Sequence, residues 1–171
     1  MRAIRGLSWR GMGVALVLLG RVGSPSTAHA VPISIDSVEE LQLVGHDAAY
    51  PLDEDYVLTQ DLDASATSSW NAGAGFDPIG NYVVGDTSVA FTGRFDGQGY
   101  AISGLVINRP AETSVGLFGC VRGTGTVTNL ALKWSSITGS QYVGGLVGRN
   151  EGTLSACVTK GDVSASWYVG G

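Results

Sequence analysis

The sequence predicts an all-β domain, a right-handed parallel β-helix behind a short N-terminal capping helix, and three observations carry that prediction. Glycine makes up 26 of 171 residues without a collagen period, and it is interleaved with Val, Leu, Ile and Phe, which argues for packed strands broken by turns. The box Val115-Gly116-Leu117-Phe118-Gly119 returns as Val143-Gly144-Gly145-Leu146-Val147-Gly148 and begins again at Val169-Gly170-Gly171, giving repeats of 28 and 26 residues. Between the boxes apolar residues recur where apolar residues stood: Leu154 answers Val127, and Val163 answers Ile137. A period in the high twenties fits three short strands and three turns, one coil of a solenoid whose strands pair with their equivalents about 4.8 Å away.

The first thirty residues differ from the rest. Arg2, Arg5 and Arg10 precede an apolar run from Gly11 to Gly20, and Ala28 and Ala30 supply the small residues that a signal peptidase accepts. The run is too short to span a bilayer, so residues 1–30 read as a cleaved signal peptide and the chain as exported, to the cell surface or beyond. Its removal takes away Arg2, Arg5, Arg10 and Arg21 and no acid. The ten basic residues fall to six against fifteen acidic ones, a net charge of −9. That balance excludes nucleic acid as a partner and disfavours anionic lipid surfaces.

Residues 31–74 read as an N-terminal cap. A helix is predicted over 37–45, where Ser37 caps, Glu40 completes a capping box, and Val38, Leu41 and Val44 share one face. Tyr56-Val57-Leu58 then reads as a strand running into Asp61-Leu62-Asp63, and residues 64–75 as a loop rich in Ala, Ser and Gly. Residues 75–171 read as rungs, with repeats at 115–142 and 143–168 and a partial one from 169. The structural glycines of the boxes are Gly116, Gly119, Gly144, Gly145, Gly148, Gly170 and Gly171, expected to permit turns that bulkier residues would strain. One rung cannot bury enough apolar surface to offset the ordering of its backbone, so stability requires stacking and sealed ends. The predicted helix seals one end. No seal follows Val169-Gly170-Gly171, which points to a piece of a longer protein or to self-association through an open C-terminal rung.

These boxes, with Asn150, Gly152-Thr153-Leu154, Gly161-Asp162-Val163 and Tyr168-Val169-Gly170-Gly171, resemble the GLUG repeat. Upstream, Ile35-Asp36-Ser37, Tyr56-Val57-Leu58-Thr59-Gln60-Asp61-Leu62-Asp63, Pro78-Ile79-Gly80 and Phe91-Thr92-Gly93-Arg94-Phe95-Asp96-Gly97-Gln98-Gly99 resemble the segment that commonly precedes such repeats. The resemblance implies a large secreted or surface bacterial protein of adhesin-like or filamentous-haemagglutinin-like type, or part of an immunoglobulin A-specific peptidase. It brings no catalytic residues. The first repeat departs from the pattern by one glycine before Leu117 and an extra residue between Trp134 and Ile137.

Among chemistry-bearing residues, the acidic cluster Asp53, Glu54, Asp55, Asp61 and Asp63 is the best candidate site. Asp61 and Asp63 occupy alternate strand positions and could share a calcium ion through oxygen ligands; the competing reading is a solvated acidic surface. Asp96, in Phe95-Asp96-Gly97-Gln98-Gly99, reads as a turn residue accepting backbone hydrogen bonds. Cys157 aligns with Leu130 and reads as a small buried hydrophobe; a bond to Cys120 is not expected from their places in the repeat. His46, the sole histidine after residue 30, sits where C-terminal helix capping accounts for it. No H-E-x-x-H, phosphate-binding loop or multi-histidine set is present in the sequence. Trp70, Trp134, Trp167, Tyr142 and Tyr168 could form a sugar-stacking surface, with rim packing the alternative. The expected function is a non-catalytic surface or secreted module of adhesin-like or structural role, meeting a glycan or protein ligand on another cell. The alternative is the non-catalytic N-terminal part of a larger secreted peptidase or polysaccharide-degrading enzyme.

Overall fold

A computed structural model describes residues 31–86 and 88–170. The signal-peptide reading with its cleavage residues Ala28 and Ala30, and Gly171 of the third box, fall outside the described residues. Eleven strands and one short helix make up the rest: β1 Ile33–Ile35, α1 Val38–Leu43, β2 Asp55–Leu58, β3 Leu62–Asp63, β4 Arg94–Asp96, β5 Ala101–Ser103, β6 Val106–Asn108, β7 Thr113–Val115, β8 Phe118–Thr128, β9 Ala131–Gly144, β10 Val147–Ser155 and β11 Val158–Gly170. The fold is mostly β, as predicted.

The strands form two sheets. One has the order β1-β2-β4-β8-β10, the other β11-β9-β5-β3 with β6 and β7 also paired along β9. Every pairing between these strands is parallel. Parallel partners need long crossovers, and here the crossover from one strand to its partner runs through the other sheet. From β4 onward the chain alternates between the sheets, with β5, β6 and β7 laid in succession in the second, and β8, β9, β10 and β11 each lie down beside strands laid there before.

The registers stack like on like. Ile33 pairs with Tyr56, Tyr56 with Phe95, Phe95 with Val127 and Val127 with Leu154, a five-tier column. Leu62, Ile102 and Leu132 form a second column, Ile107, Ile137 and Val163 a third, and Val115, Val143 and Val169 a fourth. The columns feed one hydrophobic cluster that runs from Ile35, Val38 and Leu41 to Val143 and Leu146. Phe91, Phe95 and Phe118 centre it, with ring centroids 5.1 and 5.4 Å apart.

The helix is shorter than the span 37–45 predicted for it. Val44 is already extended at φ −60°, ψ 112°, and Gly45 follows in the left-handed region at φ +79°, a conformation that suits glycine and ends the helix. The predicted cap is present: the Ser37 hydroxyl accepts from the Glu40 N–H at 3.3 Å, and the Glu40 carboxylate accepts from the Asp36 N–H at 3.0 Å. Val38, Leu41 and Val44 are buried, so the helix lies over the apolar interior at the β1 end. Within the predicted loop, 3-10 turns occupy Ser65–Gly73, interrupted where Asn71 and Ala72 turn left-handed.

The box glycines do something other than turn the chain. Gly116, Gly119, Gly144 and Gly148 have no positive φ; a Cβ on any of them would strike the backbone of an adjacent segment, that of Gly80 in the case of Gly119 and of Val147 in the case of Gly144. The expectation that they permit turns is therefore corrected: they permit close approach. Left-handed corners fall on other glycines, such as Gly80, Gly99 and Gly104, and also on larger residues. Ser114, Tyr142 and Tyr168 occupy one equivalent position at φ 60°, 52° and 54°, and Asn129 and Ala156 another at 54° and 52°.

Candidate binding face

The acidic residues do not converge as predicted. Asp61 accepts the Ala101 N–H at 2.7 Å, and Asp63 accepts the Ser65 N–H at 2.9 Å, a bond that holds the Asp63 carboxyl below its usual range. Asp55 lies in β2 beside Arg94 of β4, while Asp53 and Glu54 are exposed ahead of that strand. Among the described residues no three His, Cys, Asp or Glu side chains are grouped to hold a metal ion. The four calcium ligands expected at Asp53, Asp55, Asp61 and Asp63 thus form no single group: Asp61 and Asp63 border one depression, where Asp61 accepts from Ala101, 40 residues along the chain, and Asp63 from the nearby Ser65.

The densest charged cluster is one that sequence reasoning missed. His46 Nε2 lies 3.2 Å from Asp77 Oδ2, Arg109 Nη2 lies 3.2 Å from Asp77 Oδ1, and Arg109 Nη1 lies 2.9 Å from Glu112. His46 Nδ1 is 3.1 Å from the Val44 carbonyl. With both ring nitrogens facing acceptors, the imidazole serves best as a doubly donating cation and not as a general base. Gln42 adds two bonds to the Asp77 backbone, so the group ties the end of α1 to the Phe76–Asp77 segment and to Arg109. The hydrogen bond to Asp77 raises the His46 pKa above 6.5, and the same bond lowers that of Asp77 below 3.8. The His46 contribution is therefore complete below pH 6.5 and is lost as pH rises through the raised value; the Asp77 contribution is complete above pH 3.8 and is lost as pH falls through the lowered one. Both groups are partly exposed, so the pair is worth less than about 1 kcal/mol. Thermal melts at pH 6 and pH 8 are expected to show lower stability at pH 8, and His46→Gln is expected to remove that difference.

Cys120 and Cys157 are separate free thiols. Burial pushes the Cys120 thiol up, and Cys157, above Leu130 in the last rung, is only partly covered.

Aromatic and cationic side chains gather on the outside of the last two rungs. Tyr142 and Tyr168 stack with centroids 5.1 Å apart and planes 6° from parallel. Arg149 lies 3.7 Å over the Tyr82 ring and 5.6 Å from that of Tyr142, and Arg149 and Arg122 both donate to Glu151, at 2.8 and 2.7 Å. Trp134 and Trp167 project from β9 and β11 with 64% and 66% of their surface exposed. Trp70 does not belong with them; it is partly buried against the core near α1.

The two ends of the stack differ. At the β1 end α1 covers the core. At the other, β10 and β11 are the outer strands of their sheets, and Leu154, Val158 and Val169 are 37%, 63% and 56% exposed. No helix among the described residues is long and apolar enough to cross a membrane.

No family model matches the chain, and no solved structure matches it. Over 142 residues, 82% of its length, the chain is 43% identical to halomucin of Haloquadratum walsbyi, of which the matched stretch is 2%. Over 102 residues, 58% of its length, it is 37% identical to a protein of Evansella cellulosilytica described as a Gly-rich membrane protein, of which the matched stretch is 11%. The chain thus spans a small part of each of these relatives.

Proposed function

We propose that the chain is an exported module of a cell-surface or extracellular protein, wound as a right-handed parallel β-helix of GLUG-type rungs, with a non-catalytic, adhesin-like binding or structural role. The observation that carries this reading is the five-tier column from Ile33 to Leu154, in which five successive strands place equivalent residues atop one another. Such stacking turns a short repeat into a rod whose outward side chains are free for contacts. Similarity to halomucin and to a Gly-rich membrane protein supports a place at the cell surface or outside the cell.

The bare edges of β10 and β11 make association through the last rung part of this proposal, since unpaired parallel edges template further strands. The full chain is expected to form oligomers whose proportion rises with concentration in sedimentation velocity. Val169→Lys, a charge aimed from the β11 edge, is expected to leave a monomer with an unchanged circular dichroism spectrum. A monomer at all concentrations removes association from the account. Beads coated with the full chain are expected to retain cells or glycans in adhesion and glycan-array assays, and a null result in both would overturn the binding role.

A further inference from the structure

Trp134 is the one left-handed residue other than glycine in the last two rungs with no counterpart in its neighbour. Lys133 of β9 pairs with Lys160 of β11, and the next pair is Ser135 with Gly161, so Trp134 is a single inserted residue, a β-bulge. Its φ is +56°, a conformation costly for a bulky side chain, whereas the left-handed corners at Asn129 and Tyr142 recur in the next rung at Ala156 and Tyr168. The rung above is adapted to the bulge. A Cβ at Gly161 would collide with the carbonyl oxygen and hydroxyl of Ser135, so only glycine lets β11 pass over it.

The insertion covers no core. Its indole is 64% exposed, and the contact it makes is with the Lys160 ammonium, 4.0 Å from the ring centroid. Lys160 comes from the β11 side of β9. On the other side, toward β5 and β3, an open depression of about 500 Å³ is lined by Trp134, Asp61, Leu62, Asp63, Ser103 and Gly104. Asp61 is fixed there by the Ala101 N–H and Asp63 by the N–H and hydroxyl of Ser65, and each carboxylate has accepting capacity beyond those bonds. A strained, exposed aromatic ring on a rigid sheet, beside fixed acceptors and a serine hydroxyl, has the makings of a binding site and no packing role.

The chemistry selects the ligand. A flat apolar ring flanked by hydrogen-bond acceptors matches a pyranose, which offers one C–H face for stacking and a rim of hydroxyl donors. The fixed carboxylates and the negative chain repel acidic sugars. We propose that the Trp134 bulge is a subsite for an uncharged pyranose oligosaccharide, stacked on the indole face away from Lys160 with its hydroxyls donating to Asp61 and Asp63. The assignment rests on the binding role proposed above and names the ligand class and the residues for it.

The test is isothermal titration calorimetry of the full chain with β-1,4-linked glucose and N-acetylglucosamine hexamers, and with polygalacturonate as the anionic control. Saturable binding of at least one neutral hexamer is expected, with polygalacturonate at least about tenfold weaker. Trp134→Ala is expected to weaken binding about tenfold or more, the size of one aromatic anchor. Deleting Trp134 removes the bulge and its strain; the melting temperature is expected to hold or rise while binding is lost. No saturable binding by the wild type, equal binding by Trp134→Ala, or preference for the anionic polymer would each overturn the subsite. Cell adhesion that persists undiminished in Trp134→Ala overturns the subsite and leaves the adhesin-like role standing. Hexamer binding lost with Trp134, in a chain that adheres to no cell, supports the subsite and removes adhesion to cells from the account.

Discussion

Replacing Phe95 by alanine is expected to lower stability by about 3 to 5 kcal/mol, whereas replacing Leu154, two tiers along the same column, is expected to cost less than about 1 kcal/mol. Phe95 is fully buried, sits between Tyr56 and Val127 in register, and meets the Phe118 ring edge-on at 5.4 Å. Its removal leaves a cavity with atoms on every side. Leu154 pairs with Val127 on one side only, has no strand on the other, and is 37% exposed. Urea unfolding of the two variants reads the contrast directly. Equal losses would mean that the column does not run from a covered interior to an open end.

Gly144→Ala is expected to destabilise by about 1 to 3 kcal/mol, the usual range for overpacking, and Gly170→Ala, at the same place in the next repeat, by nearly nothing. The two glycines pair in register, yet a Cβ at Gly144 would strike the Val147 carbonyl, while at Gly170 the nearest atom is the Val143 carbonyl oxygen, 4.0 Å away. The contrast separates a glycine needed for close approach from one whose side of the rung is uncovered. It is read as the shift in denaturant midpoint between wild type and each variant.

Much of this architecture is legible in the sequence because parallel strands that lie beside their equivalents one repeat away write their register as a repeat. The pairing of Val127 with Leu154 and of Ile137 with Val163 can be read by aligning two boxes, and the helix that covers the core is announced by Ser37, Glu40 and the Val38, Leu41, Val44 stripe. What is not legible falls into two kinds. The first is conformation carried by unexpected residues: left-handed corners at Ser114, Tyr142 and Tyr168 follow no glycine signal, while the glycines that look like turns keep adjacent backbones apart by nothing but hydrogen. The second is long-range pairing without periodicity. Asp77 meets His46 and Arg109, and Asp61 meets Ala101, only because the chain returns to the same face, and nothing local to those residues records it. Trp134 lies between these kinds. The extra residue before Ile137 is visible as a break in the repeat, but its exposure and the groove beside it emerge only once β3, β5, β9 and β11 are laid side by side.

The chain's central property is that residues one repeat apart in sequence are neighbours in space. Methyl-labelled nuclear Overhauser spectroscopy of the full chain measures this without perturbing it. Cross-peaks between Val127 and Leu154, between Ile137 and Val163, and between Val115 and Val143 are expected, as for strands about 5 Å apart. Their absence, with cross-peaks instead joining each of these methyls to strands adjacent in sequence and antiparallel, would contradict the stacked coil and the binding face built on it.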